Sequence, residues 1–397
     1  MTQKKESGIL KKSRSPFSVL RSPFSVLRSP FSVLRSPFSV LRSPLLHCSV
    51  ILLFLILALT FSACSNSSGS DPSPSPIISS VYIAGYYTNG GKKIACYWKD
   101  GVKTDLYNGT GDSEAIGVTF GSSVPGGSID IYFTGYYKDY GGKEIACYWK
   151  NGEKTDLYSG SGNSRAAWGS LICGGYYVDG GGKEIACYWE NGVKTDLYSG
   201  TGNSRATCFL AGYYVDGGGK SIACYWTWGF GGTTGLYSGT GDSKVSSVSG
   251  GFFTGSYYNS GNEIACYWKD GVKTDLYNGT GNSMTTGSYF DPGMPGLREQ
   301  AVYISGAYYD GGRSIACYWK NGAKTDLLIT NDSVATGIAM GTRFDGISAP
   351  EFAFYTSGYY VDGGGKTIAC YWKNGIKTNL YNGAGDSYAY DILSGVQ

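Results

Sequence analysis

Residues Gly174 to Ser204 read GGYYVDGGGKEIACYWENGVKTDLYSGTGNS, and the architecture of the whole chain follows from them. Three short runs rich in aromatic and β-branched residues stand out: Gly175-Tyr176-Tyr177, Lys183 to Trp189, and Val193 to Tyr198. Asp179-Gly180-Gly181-Gly182 separates the first two, and Glu190-Asn191-Gly192 the next two. Asn-Gly and Asp-Gly supply the positive φ that tight hairpins require, so the three runs read as an antiparallel meander. Ser164 to Trp168 (SRAAW) adds a short first strand ahead of it.

The unit recurs. The pentad Ile-Ala-Cys-Tyr-Trp places its cysteine at Cys96, Cys147, Cys187, Cys224, Cys266, Cys317 and Cys370, with spacings of 51, 40, 37, 42, 51 and 53. Four short strands in about 46 residues, taken seven times, match the blade of a β-propeller. The expected fold is therefore all-β, a seven-bladed propeller of four-stranded antiparallel blades. The first pentad has only three strands around it, Val81 to Tyr87, Lys93 to Trp98 and Val102 to Tyr107. Its missing inner strand has a donor in Ser387 to Leu393, so the ring closes by pairing the N- and C-terminal strands, which removes an exposed edge. A linear solenoid would instead need atypical capping repeats, and neither end shows one.

The run Ala95-Cys96-Tyr97-Trp98, Gly101, Asp105-Leu106, Ser113, Ala115 resembles the HAF family of extracellular repeats, whose unit looks like A-F-x-W-x-x-G-x-x-x-D-L followed by S-x-A. The similarity spans nearly all of residues 81 to 393. The chain departs from it in lacking the His before the Ala, in Cys for Phe, and in Gly-Tyr-Tyr where the family has a V-V-G strand. The resemblance implies an exported repeat protein and brings no activity or catalytic residues.

Most chemistry-bearing residues fall in repeated positions and are accounted for by packing. The tryptophan of each pentad reads as a wedge between blades, and the seven pentad cysteines as buried free thiols. Equivalent positions on successive blades lie ~10 Å apart, the spacing of packed sheets, too far for a disulfide, which needs Cα atoms within about 7 Å. Cys173 and Cys208 occupy comparable inner-strand positions of neighbouring units, an unpromising pair. The Gly/Asp loops such as Tyr107 to Ser113 and Asp179 to Gly182 read as turns rather than calcium loops. The acids Asp105, Asp156, Asp196, Asp275 and Asp326 repeat as well, whereas a glycosidase or lyase would want acids at unique positions near the axis. No catalytic, cofactor or metal residue is assigned, and the expectation is a protein that is not an enzyme.

Departures from the repeat are where a site can be grafted. Insertions at Phe120 to Asp130, Gly287 to Gln300 and Gly341 to Phe352 lengthen three units, each between first and second strands. In an up-and-down blade these emerge on one face with the Lys-Asn-Gly turns. That face is the candidate partner-binding surface, with Phe290, Met294, Arg298, Arg343 and Phe344 as its least turn-like residues.

The N-terminus reads as an address. Residues 1–45 form a basic low-complexity presequence in which RSPFSVL recurs four times from Arg14 to Leu41; residues 46–63 carry the signal core and lipobox. The predominantly apolar run Val50 to Phe61 is too short to cross ~30 Å of hydrocarbon as a helix. Ser62-Ala63-Cys64 resembles a bacterial lipoprotein lipobox of the looser, spirochaete-like kind, which makes Cys64 the lipid attachment point. Residues 64–77 then serve as a Ser/Pro-rich tether, and 78–397 as the propeller. The presequence also distorts the charge. The chain carries +3 overall, but from Cys64 onward it holds 24 basic and 29 acidic residues, a net of −5 without a clustered basic face, so nucleic acid is excluded as a partner. The single histidine, His47, lies in the removable segment, which excludes imidazole chemistry from the mature protein. The expected protein is a monomer in the cell envelope, lipid-anchored to the outer membrane and facing the periplasm or the surface. It would present a platform to an envelope or host protein or a glycan; a purely structural envelope role, or less readily a propeller glycosidase, is the alternative.

Overall fold

The computed structural model describes residues 77–395, apart from 123–127, 229–231 and 345–348. The described residues form seven antiparallel four-stranded sheets arranged as the blades of a propeller. Blade 1 joins the C-terminal strand Ser387–Gly395 to Ser80–Asn89, Lys92–Lys99 and Val102–Asp105, so the two ends of the ring are clasped as the sequence predicts. Blades 2 to 7 follow at residues 113–156, 164–196, 204–235, 243–275, 283–328 and 333–379. A further two-residue strand, Ile77–Ile78, pairs with the far end of the inner strand of blade 7, Ile78 opposite Arg343. Pairing thus begins at Ile77, the last residue assigned above to the tether.

Turn chemistry explains the meanders. Asp100, Asn151, Asn191, Asp270, Asn321 and Asn374 all have φ near +50°, and each precedes a glycine that also has positive φ. The same side chain often does a second task. Asn151 Oδ1 accepts from the Ile131 N–H at 3.1 Å, and Asn321 Oδ1 from the Val302 N–H at 2.9 Å. The third-to-fourth turn is thereby tied to the start of the second strand, which puts these turns and the first-to-second loops on one face. The opposite face carries Asx turns: Asp179 Oδ1 accepts from the N–H groups of Gly181 at 2.8 Å and Lys183 at 2.9 Å.

The core lies between blades. The pentad tryptophans are 0–2% exposed, and each packs on the alanine and leucine of the preceding blade: Trp189 on Ala146 and Leu157, for example, and across the closure Trp98 on Ala369 and Leu380. Burial of such a side chain contributes several kcal/mol, on the order of 25 cal/mol per Å². The glycine of Gly-Tyr-Tyr makes room for it. A Cβ on Gly175 would stand 2.9 Å from the Trp189 ring and 2.1 Å from the Arg165 carbonyl oxygen.

The first residue of every inner strand is a buried serine whose hydroxyl accepts a backbone bond from the previous blade. Ala146 N–H to Ser164 Oγ and Ala186 N–H to Ser204 Oγ are both 2.9 Å. The repeated acids are likewise taken up by packing: Tyr137, Tyr177 and Tyr257 donate to Asp156, Asp196 and Asp275, and each aspartate is ion-paired with the lysine two residues before it. The nine cysteines of the described residues are free and buried, Cys173 and Cys208 included.

The insertions need one correction. Part of each is not loop but strand, least in the first and about half in the third, because the inner strands Ser113–Gly121, Ser283–Asp291 and Ser333–Phe344 run on and pair with lengthened second strands. Residue-by-residue pairing persists along them, Phe120 opposite Ile131, Phe290 opposite Val302 and Thr342 opposite Phe352, so the backbone stays in the ladder. The connections shrink to residues 122–129, 292–300 and 345–350.

Candidate functional site

All seven inner strands bulge at the same place. The skipped residues are Ile116, Ala167, Thr207, Ser246, Thr286, Thr336 and Tyr390. A bulge re-aims the extra residue out of the ladder, and all seven line one axial channel of about 590 Å³. Unlike the scaffold residues they are not one residue type throughout: three are threonine and the other four are isoleucine, alanine, serine and tyrosine. Thr207 donates to the Val245 carbonyl at 2.6 Å, Thr286 to Ala335 at 2.6 Å and Thr336 to Ala389 at 2.8 Å, giving a belt of hydroxyls that reaches from blade 4 round to blade 1.

The seam between blades 1 and 2 is built differently. Asp391 stands where Gly117, Gly287 and Gly337 stand in other blades, and it accepts from the N–H groups of Val118 at 3.0 Å and Ile392 at 2.9 Å. Desolvation raises its pKa, the two backbone bonds oppose that, and the carboxyl is left at about 6. Beside it Glu114 is fully engaged, by the Lys93 ammonium at 2.6 Å, Tyr136 at 2.8 Å and Tyr390 at 3.1 Å. These two are acids near the axis at unrepeated positions, which the sequence reading did not single out. The available signal was alignment of the inner strands on their serines. Among the described residues that line the channel, Asp391 is the one carboxylate.

Of the sequence-predicted site residues, the structure brings some together. Phe290 is half-buried, stacked at 6.0 Å on Phe252 of blade 5, with its N–H bonded to Ser249 at 2.8 Å. Met294 and Arg298 pair across a small turn, Met294 N–H to Arg298 O at 2.9 Å. Arg298 reaches back to the buried Asp291 at 2.8 Å and lies 4.0 Å over the ring of Phe352, so the blade 6 connection is docked on the blade 7 hairpin. Arg343 and Phe344 are exposed at the far end of that hairpin, against the incoming strand at Ile78. All five occupy the face the sequence assigns them, but Phe290 is spent on packing and Arg298 on the interblade contact. Cys64 lies outside the described residues.

The same face carries a feature that the repeat concealed. Nine tryptophans are present, seven of them in pentads; the other two, Trp168 and Trp228, are 37% and 38% exposed. Trp168 is the last residue but one of the inner strand of blade 3, Ser164–Gly169. Trp228 sits in the one third-to-fourth turn that is not Asn-Gly or Asp-Gly, closed by Thr227 N–H to Gly232 O at 3.0 Å. Phe209, itself 36% exposed, lies between them at 5.9 Å and 5.6 Å, and Tyr188 stacks on Trp228 at 5.2 Å. The hairpin turn that presents Phe209 is strained, since Leu210 holds φ +51°.

The fold and its axial channel define the chain as a seven-bladed β-propeller. No protein-family profile matches it, and no curated protein does. Among solved structures it is similar to TolB from Acinetobacter baumannii, with a TM-score of 0.43 and 12% identity over 62% of this chain and 63% of that one. It is also similar to a puromycin-hydrolyzing peptidase of Mycobacterium tuberculosis, with a TM-score of 0.44 and 9% identity over 76% of this chain and 53% of that one. The chain therefore matches just over half to about two thirds of the length of these proteins.

Proposed function

We propose that this propeller is a non-enzymatic binding platform of the cell envelope, held to a membrane through a lipid on Cys64, and that its partner docks on the face of the long hairpins. One observation carries the reading: the repeated residues are consumed by packing within and between blades, while the lengthened hairpins of blades 2, 6 and 7 and the ring cluster of Trp168, Phe209 and Trp228 share one face. Two considerations favour binding over catalysis. Glycoside hydrolysis uses a pair of carboxylates flanking the bond, whereas Asp391 stands alone among the described channel-lining residues and Glu114 is engaged by three donors. The resemblance of the repeat to HAF units and of Ser62-Ala63-Cys64 to a lipobox supports export and anchoring.

The test replaces the two connections 292–300 and 345–350 with Asn-Gly, sparing the paired strands. Captures from envelope extract by the parent and this variant are then compared. Capture lost with an unchanged unfolding midpoint is the expected result; unchanged capture disposes of the docking face. Metabolic labelling with a fatty acid, abolished by Cys64→Ser, tests the anchor, and protease shaving of whole cells distinguishes surface from periplasm.

A further inference from the structure

The geometry points to a carbohydrate subsite: Trp168, Phe209 and Trp228 form a stacking platform for pyranose rings of a neutral oligosaccharide beside the axial channel. This deepens the binding-platform reading and rests on it. Every pentad tryptophan is buried, yet these three large rings are left 36–38% exposed in mutual contact on the face with the long hairpins. Contiguous exposed apolar surface of this kind marks a binding site, and the backbone at Leu210 is held at φ +51° to present Phe209.

Size and charge choose the ligand. With side chains of ~150–250 Å² each, the exposed parts of the three rings offer together roughly 200 Å². A stable protein partner covers about 800 Å² on each side, so the patch is too small for one and suited to one or two sugar rings. The C–H faces of a pyranose meet aromatic faces, and its rim of hydroxyls needs polar neighbours. Those are at hand, because Trp168 and Phe209 also line the channel, whose wall carries Thr119, Ser246 and Ser247. Among its described lining residues only Lys244 and Asp391 are charged, one of each sign, and Lys244 is already paired with Glu263 at 2.9 Å. A neutral ligand fits that balance better than an anionic one.

The experiment probes the full-length protein on an array of neutral oligosaccharides. It then titrates with maltotetraose, cellotetraose, chitotetraose and mannotetraose while following tryptophan emission. Saturable quenching by at least one tetrasaccharide is expected, with binding weakened tenfold or more in Trp168→Ala and in Trp228→Ala. Trp228→Ala lies outside the interblade core and should keep a cooperative unfolding transition above the assay temperature, so it separates lost binding from lost folding. Absence of saturable binding on the array and in all four titrations overturns the proposal, as does binding that survives both substitutions. Capture through connections 292–300 and 345–350, measured on the same preparation, separates the two readings. If capture depends on those connections while no sugar binds, the sugar proposal falls and the docking face stands; if neither is seen, both fall.

Discussion

The hydroxyl of Ser387 accepts a hydrogen bond from the Ala369 N–H at 2.9 Å, which makes the closure between blades 7 and 1 chemically the same as the Ala186 to Ser204 junction between blades 3 and 4. Ser387→Ala would leave a buried N–H without a partner, at a cost of about 1–3 kcal/mol. Ser204→Ala should cost the same. Denaturant titration of both variants checks this, and a near-zero cost at Ser387 alone would mean that the ring is not held at its ends by this contact.

The two classes of tryptophan should separate cleanly. Trp189→Ala opens a cavity between blades 2 and 3 and is expected to destabilise by about 3–5 kcal/mol. Trp228→Ala removes a part-exposed ring that stacks on Tyr188 and Phe209, outside the interblade core, and should cost only about 1–2 kcal/mol. Thermal or urea unfolding of the pair reads the difference directly.

Asp391 gives the protein a predictable response to pH. Its carboxyl lies at about 6 in the folded chain against an ordinary 3.8, so between these values the folded state holds a proton that the unfolded state has lost. Stability should therefore fall as pH rises through that window and level off above ~7, by up to ~3 kcal/mol. Asp112, Asp179, Asp216 and Asp362 have lowered pKa values, and their contributions are lost only as pH falls toward 3.8 and below. Unfolding free energies at pH 4.5 and 7.5 should accordingly differ in the parent and converge in Asp391→Asn.

Burial pushes the Cys173 and Cys208 thiols up to about 12, and the pentad thiols are raised as well. The thiolate is the reactive form, so the nine buried cysteines should resist a thiol reagent in the folded protein and react together on denaturation. Mass spectrometry after timed labelling counts them; fast modification of several in native buffer would contradict the packing described.

The blade count and the clasp at Ser387 were legible because a packed repeat imposes the same residue at the same point seven times. Asn151 and its equivalents announce the turn, Trp149 and its equivalents the wedge. What escaped was whatever the repeat does not constrain. The bulge that turns Thr207 or Tyr390 toward the axis has no sequence mark, since the residue it re-aims is threonine in three blades and isoleucine, alanine, serine or tyrosine in the rest. The insertions looked like loops because periodicity was judged against the shorter units, although Gly287 to Asp291 continues the ladder. Trp228 was countable as a departure from the pentads, but its exposure follows from a turn in which Asn-Gly is replaced by a longer segment, and its neighbours Phe209 and Tyr188 come from a hairpin turn of its own blade and a strand of the blade before it.

The polypeptide joins the ring at Ile78 and Ser79, with Ser79 N–H bonded to the Thr342 carbonyl at 3.0 Å, beside the very hairpin that carries Arg343. In a molecule acylated at Cys64, the twelve residues from 65 to 76 can span at most ~40 Å when fully stretched. Under the proposed anchoring the chain would leave the ring on the side that carries the long hairpins. On that proposal a docked partner would share its face with the tether. The opposite face carries the second-to-third turns and the Gly/Ser loops that lead into each next blade, with Tyr140 95% exposed among them.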